Sequence, residues 1–188
     1  MNDLVILAAL LRAPAYGYSL KKTAGLIFGN RVMHPNIVYP LLKKFVQNGW
    51  VEQSSVPGQR GQTRKQYRIT PVGRKHLLEQ LAIFTQQDAS DDGAFLFRVA
   101  FFDALPKQRC LEILDARRLF LDSRAVELTE LSQQAQAKSF GAVALDRVRA
   151  LVHEELRWLR KLQDRIESSK GDITGKPART HQDPARQS

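Results

Sequence analysis

The sequence predicts a mainly α-helical chain with a small β-wing: a winged helix-turn-helix over residues 1–84, followed by a helical, coiled-coil-like arm. Three observations predict it. Hydrophobic periodicity and turn signals fall in the order helix, helix, helix, strand, strand, helix over the first 84 residues. Residues 1–83 hold twelve basic groups against three acidic ones, a net +9, whereas residues 84–170 hold fourteen of each sign. Beyond the basic module, Leu114, Leu121 and Leu128 recur every seven residues, the spacing of a helix pressed along another helix.

Each element follows from local chemistry. Residues 4–12 are almost wholly apolar up to Pro14, whose ring cannot continue a helix, so a short buried helix is expected. That run is far shorter than the ~20 residues needed to cross a bilayer. The preceding segment has Asp3 and no Lys or Arg, which argues against a secretory signal. Gly17 punctuates, and Leu20, Ala24 and Ile27 give a second helix over 18–27 its inner face, ended by Gly29-Asn30.

His34-Pro35-Asn36 opens the next helix, where a proline in the first turn removes no needed donor. Val38, Leu41, Leu42 and Phe45 form its inner stripe. Pro40 removes a backbone bond, so a kink or a tightened first turn is expected. Asn48-Gly49 ends this helix, and a strand follows over 50–56. The turn-forming stretch 57–62 leads to the alternation of Lys65, Tyr67 and Ile69 with Gln66, Arg68 and Thr70, so the two strands make a wing. Thr70-Pro71 then starts a helix carrying Val72, Leu77, Leu78 and Leu81 to about residue 84.

Residues 86–93 are polar and acidic and read as a hinge. The second module, residues 94–168, opens with a helix over 94–104 bearing Phe95, Val99 and Phe102. A long helix over 107–139 carries the leucine stripe, with Arg118 expected to interrupt it. Past Gly141, Leu145, Val148, Val152, Leu159, Leu162 and Ile166 set the face of a last helix, and Glu154, Glu155, Arg157, Arg160 and Lys161 supply its solvated side. Residues 171–188 are polar and expected to be disordered.

A positive field confined to one module, joined to a neutral one, suits a phosphate-binding unit attached to an assembly unit. For a helix lying in a major groove, Asn36 can pair with adenine, while Tyr39, Lys43 and Lys44 hold phosphates or a guanine edge. In the wing, Arg60, Arg64 and Lys65 flank glycines that allow close approach to a groove, and Lys21 and Lys22 can clamp the backbone. Each has a plainer reading: a solvated helix end for Lys43 and Lys44, partial burial for Tyr39, an ordinary hairpin tip for the wing. Phe95, Phe101, Phe102, Phe120 and Trp158 either line a pocket for a small effector or fill a core or dimer seam. His34, His76, His153 and His181 are scattered without metal-ligand spacing. No nucleophile, phosphate-loop or dinucleotide motif is present, so neither enzyme activity nor a metal or cofactor is expected. The single cysteine, Cys110, cannot form an intramolecular disulfide and fits the cytoplasm, with no membrane partner.

Taken in order, Ile6-Leu7-Ala8-Ala9-Leu10-Leu11, Tyr16-Gly17-Tyr18-Ser19-Leu20, Val38-Tyr39-Pro40-Leu41-Leu42-Lys43-Lys44-Phe45, Gly49-Trp50-Val51 and Gln66-Tyr67-Arg68-Ile69-Thr70-Pro71-Val72-Gly73-Arg74 resemble the PadR family of bacterial transcriptional regulators. Val99-Ala100-Phe101-Phe102 and Glu155-Leu156-Arg157-Trp158-Leu159 extend the resemblance into the arm, over about residues 4–166. Phe45 and Trp50 stand where leucine is usual, and His34-Pro35-Asn36 replaces a smaller opening. The resemblance implies a homodimer whose helices opened by His34 enter successive major grooves of double-stranded DNA, with Pro40 tolerated. It implies a repressor on a pseudo-palindromic operator, responsive to a phenolic or other aromatic effector. The competing expectation is an adaptor whose winged helix binds proteins and reads no DNA.

Overall fold

The structure is a computed structural model and describes residues 1–17, 19–20, 34–57, 62–134 and 139–168. Helix α1 (Asn2–Arg12) is buried from Leu4 to Leu10 on every side, as an all-apolar helix must be. It ends at Ala13, which is extended ahead of Pro14. The next two residues form a strand, β1 (Ala15–Tyr16), where the sequence pattern shows only a break between helices. Most of the second helix expected over 18–27, with its Gly29-Asn30 stop, lies outside the described residues.

Helix α2 (Pro35–Gln47) starts at His34, whose Nδ1 accepts from the Asn36 amide at 3.3 Å. The Ile37 amide donates to the His34 carbonyl three residues back at 2.9 Å, so the first turn is tight, and the helix then runs through Pro40. Val38, Leu42 and Phe45 are buried. The helix stops at Gly49, whose φ of 69° is the left-handed conformation glycine adopts freely.

Strands β2 (Val51–Pro57) and β3 (Thr63–Ile69) pair antiparallel from Val51 opposite Ile69 to Pro57 opposite Thr63. β1 adds to the far side of β3, with Ala15 opposite Tyr67. The sheet order is therefore β1-β3-β2, a wing of three strands. Helix α3 (Pro71–Ala82) is capped by Thr70, whose Oγ1 accepts from the Gly73 amide at 3.0 Å and donates to the Gly49 carbonyl at 2.7 Å. Leu77 and Leu81 face the core, while Val72, expected on the inner stripe, is exposed because Gly73 takes the contact with Trp50.

The expected hinge is helical instead. Thr85 and Asp88 form a reciprocal capping box on α4 (Gln86–Ser90), and Asp91 caps α5 (Asp92–Val99). Of the acidic residues expected to form a loop, Asp88 and Asp91 cap helices and Asp92 pairs with Arg117. A 3₁₀ turn at Phe102–Ala104 leads into α6 (Lys107–Gln134), and α7 (Phe140–Ser168) returns along it. The Lys107 ammonium meets the Glu167 carbonyl at one end and Arg149 meets Ser132 at the other, so the pair is antiparallel. Leu114, Leu121 and Leu128 pack with Val152, Leu156, Leu159 and Ile166 in a core continuous with α1, α2 and α3. Arg118 does not interrupt that stripe: it is exposed and pairs with Asp115 and Asp122.

Candidate nucleic-acid interface

The outward face of α2 carries Asn36, Tyr39, Lys43 and Lys44, all exposed because the opposite face is committed to Val38, Leu42 and Phe45. Asn36 sits in the first turn, its side-chain amide free of hydrogen bonds among the described residues. Ile37 and Val46 flank the polar positions as exposed aliphatic groups.

Between α2 and the sheet lies an open cleft of about 940 Å³. It brings Tyr39 and Lys43 from α2 together with Arg64 and Lys65 from β3, and leaves Asn36 and Lys44 outside. Among the described residues no carboxylate pairs with Lys43, Lys44, Arg64 or Lys65, so their charges are uncompensated. Arg60, Lys21 and Lys22 lie outside the described residues.

The cleft includes groups that sequence reasoning did not single out. β1 supplies Tyr16, and Tyr67 lies buried on β3, its phenol held above the usual range by burial and by nearby Tyr39. Ser19 ties the entry, its hydroxyl accepting from the Tyr16 amide at 3.1 Å and donating to the Tyr16 carbonyl at 2.9 Å. A Cβ on Gly17 would lie 2.8 Å from the Tyr39 ring, so glycine is what lets that ring lie against the chain. Tyr39 stays 52% exposed. The Tyr16-Gly17-Tyr18 string was the one signal of this in the sequence.

A second cavity, about 760 Å³, opens where the amino end of α1 meets α6 and α7, against Val5, Asp92, Arg117, Phe120, Arg124 and Val152. The aromatic set considered for an effector is, apart from Phe120, placed elsewhere. Phe95 and Phe102 are buried, Phe101 lies edge-on to Phe97, and Trp158 meets Phe95 edge-on with ring centroids 6.1 Å apart. None of these four lines either cavity.

Arg117 has the most saturated guanidinium among the described residues, although only 1% of its side chain is exposed. It donates twice to Glu155 at 2.8 and 2.9 Å, to Asp92 at 2.5 Å and to the Ala89 carbonyl at 2.6 Å. Burial alone would lower its proton affinity, yet the hydrogen bonds to Glu155 and Asp92 hold it above the usual arginine range. Glu155, expected on the solvated side of the last helix, therefore points inward instead.

Residues 6–79 match the transcriptional regulator PadR-like family. Among curated proteins, none matches the chain. Among solved structures, the chain is similar to a candidate transcriptional regulator from Thermoplasma acidophilum at 32% identity, over 42% of this chain and 75% of that one, with a TM-score of 0.39. It is similar to Bacillus subtilis PadR, solved in complex with operator DNA, at 18% identity over 87% of this chain and 98% of that one, TM-score 0.44. A PadR-like transcriptional regulator from Bacillus cereus gives 17% identity over 87% and 94% of the two chains, TM-score 0.37.

Proposed function

Because the chain belongs to the PadR-like family of transcriptional regulators, we propose that it is a sequence-specific DNA-binding repressor, acting in the cytoplasm as a homodimer on a pseudo-palindromic operator and released by a small aromatic ligand. The observation that carries this reading is the cleft between α2 and the wing, where Lys43, Arg64 and Lys65 have no carboxylate partner among the described residues. Cations left unpaired on a concave surface beside an exposed helix face are the arrangement a phosphate backbone requires. Asn36, one turn from Tyr39, is free to reach a base edge, with Lys44 beside it on the phosphate track. Arg60, Lys21 and Lys22 extend the same basic field in this reading.

Dimerisation is supported by apolar side chains that α7 leaves in solvent. Phe140, Leu151 and Trp158 share one side of that helix and are exposed. A second copy would cover them, as the partner helix of a paired arm does. Ligand response is supported by the 760 Å³ cavity at the junction of α1 with α6 and α7, a volume in the usual range for small-molecule sites. The reading assigns no catalysis.

Fluorescence polarisation against duplexes from the protein's own promoter region, titrated in rising salt, tests the proposal. Affinity should fall steeply with salt and exceed that for scrambled duplex. Charge reversal at Lys43, Arg64 and Lys65 should abolish binding. Absence of binding to any duplex at low salt would refute the reading and leave the adaptor role in its place.

A further inference from the structure

The segment joining the DNA-binding module to the arm is held by three arginines: Arg98 and Arg109 reach across to the end of α3, and Arg117 ties the joining helices α4 and α5 to the arm. Arg109 on α6 donates to the Ala82 carbonyl at 2.5 Å, and Arg98 on α5 donates to the Ile83 carbonyl at 3.1 Å, both at the carboxyl end of α3. Arg117 on α6 donates to Ala89 at the end of α4 and to Asp92 at the start of α5, and its other edge is gripped by Glu155 of α7. Arg98 is buried, and pairs with Asp88 at 3.3 Å.

The chemistry suits a fixed joint. The last carbonyls of a helix have no partner within it and carry the negative end of its dipole, so a guanidinium there satisfies both demands. A guanidinium is planar and grips a carboxylate along two parallel bonds, which fixes direction as well as distance. Phe95 and Phe120 hold the Arg117 plane, with its central carbon 5.3 and 5.5 Å from their ring centroids. Buried charge pairs are screened far less by salt than surface pairs.

We propose that Arg117, supported by Arg98 and Arg109, is a positioning residue that sets the angle of the DNA-binding module on the arm and thereby the half-site separation the homodimer accepts. The inference rests on the DNA-binding reading above. One inserted base pair moves a half-site by ~3.4 Å and turns it by about a tenth of a helical turn, which a rigid joint cannot follow.

Duplexes selected from a randomised library by the full-length protein supply the probe. Wild-type protein should enrich a single half-site separation and bind a duplex with one inserted base pair about tenfold more weakly. Arg117→Met should enrich the same half-site sequence at several separations and lose affinity about threefold or less on that insertion. Asp92→Ala, at a largely exposed partner, should shift selectivity in the same direction and decides the matter if Arg117→Met does not fold. Arg118→Met, exposed on the same helix, should keep the wild-type preference. Uniformly weaker binding with unchanged spacing preference in both joint variants would make the arginines merely structural and overturn the inference. No enrichment by the wild-type protein would overturn it together with the reading it rests on.

Discussion

Replacing Gly73 by alanine should destabilise the protein, although the same change in an exposed helix interior ordinarily stabilises by up to ~1 kcal/mol. A Cβ built at Gly73 would lie 2.0 Å from the Trp50 carbonyl oxygen, 2.8 Å from its carbon and 2.9 Å from the Trp50 Cα. Carbon and oxygen in ordinary contact stay about 3.3 Å apart, so an overlap of more than ~1 Å falls on backbone, which cannot rotate away. Two bonds oppose relaxation. The Thr70 amide donates to that same Trp50 carbonyl at 2.9 Å, and the Gly73 amide donates to Thr70 Oγ1 at 3.0 Å. Moving the first turn of α3 outward gives up both, at about 1 kcal/mol each, and the overlap that remains adds about 1–3 kcal/mol of overpacking, less the ~1 kcal/mol that alanine gains in a helix. The expected net loss is ~2–4 kcal/mol, read from the midpoint of urea unfolding at unchanged slope. Trp50 fluorescence should move with it, because its ring stacks on His76 at 3.7 Å. An unchanged or raised midpoint would refute the reasoning.

Changing Lys43, Arg64 and Lys65 together to alanine should flatten the salt dependence of DNA affinity by about 0.9 in log–log slope for each phosphate no longer neutralised; a slope equal to wild type would place the phosphates elsewhere. Asn36→Ala should cost about 1–3 kcal/mol on specific duplex and little on random duplex, and equal losses on both would remove it from base reading. Cys110 is buried, its thiol pushed up to about 11 by that burial. Its folded value lies above the ordinary 9.0, so its contribution to stability is full below pH 9 and is lost as pH rises through about 11. A thiol reagent at pH 8 should therefore label it only after unfolding, and rapid labelling of native protein would contradict the placement. Trp158→Glu should turn the proposed dimer into monomer in analytical ultracentrifugation, since the indole is 37% exposed on the stripe with Leu151; a persistent dimer would put the interface elsewhere.

Elements with their own periodicity or caps were legible in the sequence. Val38, Leu42 and Phe45 marked the buried side of α2, Thr70-Pro71 marked the start of α3, and Leu114, Leu121 and Leu128 marked the seam of the arm. Strand β1 was not legible, because two residues cannot show a period and their pairing partner, Tyr67, lies fifty-two positions away. The cations of the site were visible as a charge asymmetry. Its concavity was not, since Tyr16, Gln53 and Tyr67 join Tyr39 only once the third strand closes the sheet.

Residues 86–93 resemble a loop in sequence for a physical reason that reaches further. Clustered aspartates signal a loop when their charges face water, and nothing local reveals a guanidinium twenty-five residues away, as Arg117 is from Asp92. Choosing between Arg117 and Arg118 as the residue at odds with the leucine stripe also needs the third dimension, because both lie within one turn of Leu114 and Leu121. Energetically the buried arginine is a poor choice: well-packed apolar side chains of similar volume are often as stabilising as an ion pair, or more so, by about 1–4 kcal/mol. What an apolar replacement lacks is direction. A leucine at 117 would fill the space beneath Phe95 and Phe120 but would hold neither the Ala89 carbonyl nor the Asp92 and Glu155 carboxylates, and α4 and α5 could slide over it. A network costly to bury and specific in its geometry is what a joint needs when its angle, rather than its stability, decides where two reading helices fall on a duplex.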